Sequence, residues 1–344
     1  MTIAVAVSGG TDSLYALLTL KEQGHDIFAL HAHFLAPCKE REDAIDAMCA
    51  ALDIPFHAVD LHEEFERCVV APFMDEYAHG RTPNPCALCN ASMKFGALLR
   101  EAEKLGADQI ATGHYAVLED HPAYGRTLSR GLDVKKDQSY FLSLVPKHQL
   151  EKALFPLGKM KKEDIKADLA ARGIAPAYPS ESQEICFVPN DDYRAFLINR
   201  GAKLGTGGNM ELADGTVVGK HNGLWQHTEG QRKGLGIAWK EPLYVIRKDL
   251  EKNILIVGPK AELLSTGCIV SNMNFLVAKE LWGKELLVRT RYRQQPIPVS
   301  ISEQGSMLVI TYQEPQSPPA SGQVCCVYDE DLTVLGGGII ESSM

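Results

Sequence analysis

The tightest constraint on the fold is at the start of the chain. IAVAV (3–7) is a short unbroken apolar run, followed by a glycine pair and then TDSLYALLTLKEQ, whose apolar residues recur at helical spacing. An apolar run without alternation is the pattern of a parallel strand buried on both faces. The helix stops at Gly24, a fitting C-cap. The cycle then repeats: DIFALHAHF with a helical stretch over 40–52, PFHAVDL with helices near 61–79 and 91–105, and DQIATGHYA as a further strand and loop. A helix over 160–174 ends at Gly173. Strands alternating with helices of this length predict an α/β domain with a doubly wound parallel sheet over residues 1–195.

The texture then changes. Residues 196–258 are glycine-rich with short alternating runs, which predicts a small β-containing central domain. Over 259–344, ELLVRTRYR, IPVSISE, MLVITYQ, GQVCCVYDE and LTVLGGGII predict a C-terminal antiparallel β-barrel, with QEPQSPPASG (313–322) as a loop. At 45% hydrophobic and 23% charged residues the chain reads as globular. It contains no apolar run of about 18 residues that would span a membrane. MTIAVAVSGG lacks a basic leader and reads as a strand, not a signal peptide. Nine cysteines, an odd number, predict reduced thiols and a cytoplasmic setting. The net charge of −9 excludes blanket attraction to nucleic acid. Only 191–256 carries an excess of positive charge, with 10 Lys and Arg against 8 Asp and Glu, so an RNA partner must be held by local patches.

Two motifs carry chemistry. AVSGGTDS (6–13) leaves the first strand and opens the first helix, where free N–H groups suit a phosphate. Gly9 and Gly10 allow close approach, and Ser8, Thr11 and Ser13 add hydroxyls. The loop has no lysine to reach terminal phosphates, so it is not a Walker loop. SGG-x-DS at this location resembles the PP-loop of ATP pyrophosphatases, which cleave ATP to AMP and pyrophosphate while adenylating a carbonyl oxygen. Mg²⁺ would offset the phosphate charge, with Asp12 the nearest carboxylate to orient it. NPCALCN (84–90) sets two cysteines three apart. By itself this pair fits half a zinc site, a dithiol redox pair, a sulfur carrier or an iron–sulfur ligand pair. Zinc would want four ligands, and only Cys186 offers a third.

With TGHYA (112–116), KDQSYFL (136–142), EICFVP (184–189), HTEGQRKGLGI (227–237), RYR (291–293) and SGQ (321–323) in this order, the whole chain resembles the tRNA-specific 2-thiouridylases. The resemblance implies a PP-loop domain, a central domain and a barrel. It also implies ATP-dependent 2-thiolation of the wobble uridine of tRNA. Residues 6–13, from Ala6 and Val7 to Ser13, would hold the ATP phosphates, with Ala32 and Gly113 beside the adenine or ribose. Cys89 matches the catalytic nucleophile and Cys186 the persulfide carrier. Lys136, Asp137, Gln138, His114, Tyr292, Arg293 and Gln323 match residues that touch tRNA, and Asn84, Pro85 and Cys86 the stretch beside the target base. The sulfur donor would be a persulfide carrier, a cysteine desulfurase or inorganic sulfide.

The chain departs from the family at Cys86, where many members have aspartate. That third thiol suggests that Cys86, Cys89 and Cys186 ligate a [4Fe–4S] cluster with one iron open to hydrosulfide; the competing account uses a persulfide on Cys186 and leaves Cys86 a bystander. Other residues have plainer readings. His114 fits a strand-end histidine bonded to a carbonyl, Tyr292 and Arg293 fit alternation across a barrel strand, and Arg232 and Lys233 fit a solvated turn. Cys325 and Cys326 fit packed hydrophobes facing opposite ways. A non-catalytic tRNA-binding protein and a PP-loop amide ligase are the alternative functions.

Overall fold

The structure, a computed structural model, describes residues 1–178 and 185–344. Its first domain is built on a five-stranded parallel sheet. In sheet order the strands are β3 (Phe56–Asp60), β2 (Asp26–His33), β1 (Thr2–Ala6), β4 (Gln109–Ala111) and the short Ala153–Leu154. The apolar run of β1 is explained by its alternation between two cores. Ile3, Val5 and Val7 face α1 (Thr11–Glu22) and α2 (Lys39–Ala51), while Ala4 faces the opposite layer with Phe28, Leu30 and Ile110. The order reverses at β1, which pairs with β2 on one side and β4 on the other. In such sheets ligands bind at the carboxyl edge of that switch point.

The opposite layer consists of two helical runs. The first, α3 over 62–78, buries Phe65, Val69, Phe73 and Tyr77, a stripe at i, i+4 spacing. The second, α4 over 85–104, is continuous through Pro85–Cys89, the π-helical Asn90–Ala97 and Leu98–Lys104. The sequence reading begins this helix near 91, but the structure begins it at Pro85. Asn84 is the N-cap, its side chain accepting from the Ala87 amide at 3.1 Å, and Pro85 occupies the first turn. The Asn-Pro pair is therefore a helix start.

The central unit is a four-stranded sheet, Leu243–Asp249, Ile254–Pro259, Gly208–Glu211 and Val217–His221. The C-terminal unit closes six strands into an antiparallel barrel. Two expectations fail here. The strand Met307–Gln316 runs into the stretch expected to be loop, and Tyr292 and Arg293 lie in a turn beyond the strand Leu286–Arg289. Cys325 and Cys326 do face opposite ways. Cys325 points into the barrel core, and Cys326 into the core shared with the first domain.

Barrel and first domain share more than apolar surface. Asp137, fully buried, accepts from Arg289 Nη1 at 2.7 Å, from the amides of Gly131 and Ser139, and from the Ser139 hydroxyl. Arg289 lies over the Tyr140 ring at 5.6 Å. A buried pair is costly to break because the survivor is an uncompensated charge. Arg289→Met is therefore expected to lower stability by about 3–5 kcal/mol, measured as a shifted urea midpoint; a loss below about 1 kcal/mol would mean that water screens the pair.

Candidate active site

The nucleotide loop occupies the switch point. Gly10 is the N-cap of α1 and no side chain caps the helix, so its first amides remain available to an anion. Ser13 Oγ donates to the Gly10 carbonyl at 3.0 Å and accepts from the Ser8 amide at 3.2 Å, which fixes the loop from within. Gly9 has φ +82°, and a Cβ there would meet the Tyr178 ring at 2.9 Å. Val7, Ala32 and Gly113 sit at the carboxyl ends of β1, β2 and β4, around one mouth; His31 Nδ1 bonds the Val7 carbonyl at 2.8 Å. Gly113 admits no side chain, since a Cβ would lie 2.7 Å from the Asp12 carbonyl carbon. The Asp12 carboxylate is doubly held, by Tyr115 Oη at 2.8 Å and by Lys162 Nζ at 3.0 Å.

One residue after Gly113 the chain turns to sulfur. His114 is buried between Phe95 and Phe155, with Nδ1 2.7 Å from the Thr112 hydroxyl and Nε2 3.4 Å from Lys94 Nζ. Burial first and Lys94 second hold its pKa well below the ordinary value, so the ring is neutral and accepts from the ammonium. His114 is thus buried and bonded to Thr112 and Lys94. Lys94 lies five residues past Cys89 in the π-helical segment, a geometry often found at functional sites.

The three cysteines share this neighbourhood and none is in a disulfide. Burial pushes all three thiols up, Cys89 to about 12, and the Lys94 ammonium pulls each of them back. Cys186 also raises Cys86 and Cys89, which places it against the CxxC. Its position is set by the next residue: Phe187 is wedged among Phe65, Phe73 and Phe196 at 5.6, 5.1 and 5.6 Å. Glu184, which opens the EICFVP motif, lies outside the described residues. Among the described residues no three His, Cys, Asp or Glu side chains are drawn together to hold a metal ion. Cys89 is buried near the start of α4, and Cys186 is exposed on a turn.

The approach to the CxxC is clamped by all three units. Gln323 Nε2 donates to the carbonyls of Thr82 and Pro83, both at 2.9 Å, and the Thr82 amide donates to Ser321. Thr228 and Lys248 of the central unit bond Thr82 and Gly80. Gln323 is thus committed to backbone. Gln138, half-buried, accepts from the Tyr115 amide at 3.0 Å. Asp137 is buried, as described above. Lys136 and Tyr292 are half-buried and Arg293 is exposed. The segments 136–138 and 291–293 meet, because Arg289 bonds Asp137 with one nitrogen and the Tyr292 carbonyl with the other, and Tyr292 packs on Phe141 at 4.5 Å.

Sequence reasoning missed Lys94, Arg289, Tyr115 and Lys162. Tyr115 lies within TGHYA and Arg289 within ELLVRTRYR, and Lys94 follows NPCALCN closely, whereas nothing in the sequence links Lys162 to a loop 150 residues away. In protein without RNA, iodoacetamide is expected to modify exposed Cys186 before buried Cys89. Because the Cys89 thiol is raised, its thiolate fraction at neutral pH is small, and its labelling should rise about tenfold per pH unit from 7 to 10. Peptide mass spectrometry checks this; labelling of Cys89 that is fast and flat with pH would contradict it.

Residues 1–190 match the family model described as tRNA methyl transferase HUP domain. Residues 194–259 match the tRNA methyl transferase PRC-barrel domain, and 265–340 the aminomethyltransferase beta-barrel domain. The tRNA-specific 2-thiouridylase MnmA of Nitratidesulfovibrio vulgaris (strain Miyazaki F) is 56% identical over 347 aligned residues, covering 99% of both chains. That of Lawsonia intracellularis is 49% identical over 352, covering 100% of both. The solved structure of the U34-tRNA thiolase NcsA from Methanococcus maripaludis with its [4Fe-4S] cluster covers 58% of this chain and 65% of its own. At 18% identity and a TM-score of 0.37 it is too remote to bear on the chemistry. Likeness at this level along the entire length, with the nucleotide loop and cysteines in place, means that the chain belongs to the tRNA-specific 2-thiouridylase family.

Proposed function

We propose that the protein replaces the C2 oxygen of the wobble uridine of tRNA with sulfur at the expense of ATP. The observation that carries this reading is the Gly113–His114 pair. Gly113 packs on the backbone of the nucleotide loop, and His114 holds the lysine that faces the thiols. Activation and sulfur delivery therefore share one wall.

The C2 oxygen attacks the α-phosphorus of ATP and pyrophosphate leaves, so the oxygen becomes part of a good leaving group. The PP-loop amides suit the phosphates, and Asp12 is the carboxylate at hand for Mg²⁺. A persulfide on Cys186, loaded by a persulfide-bearing donor, attacks C2 through its terminal sulfur, and AMP departs with the oxygen. Cys89 then attacks Cys186 Sγ, which breaks the sulfur–sulfur bond, leaves sulfur on C2 and closes a Cys89–Cys186 disulfide. Cellular thiols reduce that disulfide, in keeping with a cytoplasmic setting. The buried Cys89 thiol must lose its proton for this step, and Lys94 is the charge that favours the thiolate. In this route Cys86 takes no step and no iron–sulfur cluster takes part. Lys136 and Arg293, with Tyr292 beside them, are assigned to tRNA contact, and Asn84 and Pro85, at the helix start, to the target base.

In a strain lacking the gene, tRNA should contain no 2-thiouridine by mass spectrometry, and the wild-type protein should restore it. Cys89→Ser and Cys186→Ser should not restore it, while Cys89→Ser still releases pyrophosphate when tRNA is added. Unchanged 2-thiouridine in the deletion strain would leave a tRNA-binding role only, and a fully active Cys89→Ser would favour an amide ligase. Thiolation that depends on added iron and sulfide and is lost in Cys86→Ala would replace the persulfide route with a cluster. No helix among the described residues is long and apolar enough to cross a membrane.

A further inference from the structure

The nucleotide loop contains no lysine, yet it must attract a polyphosphate at the surface of a chain with net charge −9. Its one charged residue, Asp12, repels that ligand. The fold brings a cation from far down the chain. Lys162 opens the helix Lys162–Arg172, and its Nζ stands 3.0 Å from Asp12 Oδ2, at the first turn of α1 where the amides point outward. The side chain is 13% exposed, so the ammonium is held at the mouth of the loop and not spread into solvent. Its backbone is fixed as well, the Lys162 amide donating to Asp133 Oδ2 at 3.1 Å.

We propose that Lys162 is the cation that grips the phosphates of the bound nucleotide, with Asp12 among its partners when the site is empty. This deepens the ATP-dependent reading and rests on it. A lysine is a compact point charge on a flexible stem, so it can leave a carboxylate for a phosphate close by without rearranging the backbone. Asp12 keeps the Tyr115 hydroxyl when Lys162 moves and is then free to face a divalent cation. Such an exchange trades one charge-assisted bond for another, and the loop gains the positive charge its own sequence lacks.

The test is equilibrium binding to the full-length protein without tRNA, using an ATP analogue with a non-cleavable α–β bridge and, separately, adenosine. For Lys162→Met, affinity for the analogue should fall about 10- to 100-fold, the range for losing a hydrogen bond to a charged group. Adenosine affinity should change less than about twofold, and Lys162→Arg should recover most of the loss because it keeps the charge. Equal weakening of both ligands by Lys162→Met would overturn the proposal and leave a structural brace for the loop, as would no weakening of either. If Lys162→Met does not fold, Lys162→Gln is measured under the same criterion. Because neither tRNA nor sulfur enters the assay, Lys162-dependent nucleotide binding would stand even if the thiolation reading failed.

Discussion

The Asp137–Arg289 ion pair is the contact on which the arrangement of segments 136–138 and 291–293 depends. The carboxylate belongs to the 136–138 segment and the guanidinium to the strand that leads into 291–293, so one buried pair registers the first domain against the barrel. Arg289 also caps the Tyr292 carbonyl and lies over Tyr140, whose hydroxyl reaches the Val324 carbonyl at 2.9 Å. Val324 follows Gln323, which holds the residues just before the CxxC. A single chain of contacts thus runs from the barrel to the helix bearing Cys86 and Cys89. The planar fork of arginine suits this site, because one side chain serves a carboxylate and a carbonyl at once; a lysine would satisfy one of them.

The same pair explains which parts of the site were legible in the sequence. The α/β alternation, the change of texture near 200 and the barrel strands could be read because hydrophobic period and turn residues are local signals. The start of α4 was misread because Asn-Pro serves both turns and helix N-termini, and only the hydrogen bond from Asn84 decides between them. The resemblance located residues that matter without giving their mode of action. Asp137, His114 and Gln323 sit in positions matched to RNA contact, yet in the folded chain each is committed to other protein groups. Through these bonds they hold Arg289, Lys94 and the Thr82–Pro83 backbone. Pairing across 150 residues, as between Asp12 and Lys162, leaves no trace in spacing and becomes visible only when the sheet and helices are assembled.

The thiols pose a physical problem that the geometry partly resolves. Burying Cys89 protects it from adventitious oxidation but suppresses the thiolate that reaction needs. A cation within the same pocket offsets that penalty only if it stays charged and fixed. A neutral imidazole accepting from Lys94 meets both conditions: it satisfies one ammonium hydrogen and adds no competing positive charge. Were His114 protonated, it would repel Lys94 and break that bond. The aromatic walls of Phe95 and Phe155 thus act on the sulfur chemistry at one remove, by keeping the imidazole uncharged.

The nucleotide loop and the 136–138 segment are also joined through Asp12. One bridge runs from its carboxylate through Tyr115, whose amide and carbonyl are both bonded to Gln138. The other runs through Lys162, whose amide is held by Asp133, which in turn accepts from the Lys135 amide. Energetic coupling needs a contiguous network and an element with two discrete arrangements. The bridges supply the first, and a lysine able to face either a carboxylate or a phosphate supplies the second. Adenylation without RNA in place would waste ATP, so a thiolase gains from having each ligand felt at the other's site. Coupling of this kind is typically about 1–3 kcal/mol, or roughly 5- to 150-fold in affinity, and by linkage it must act equally in both directions. In a network with those two properties, ATP at one end and tRNA at the other would tighten each other to the same extent.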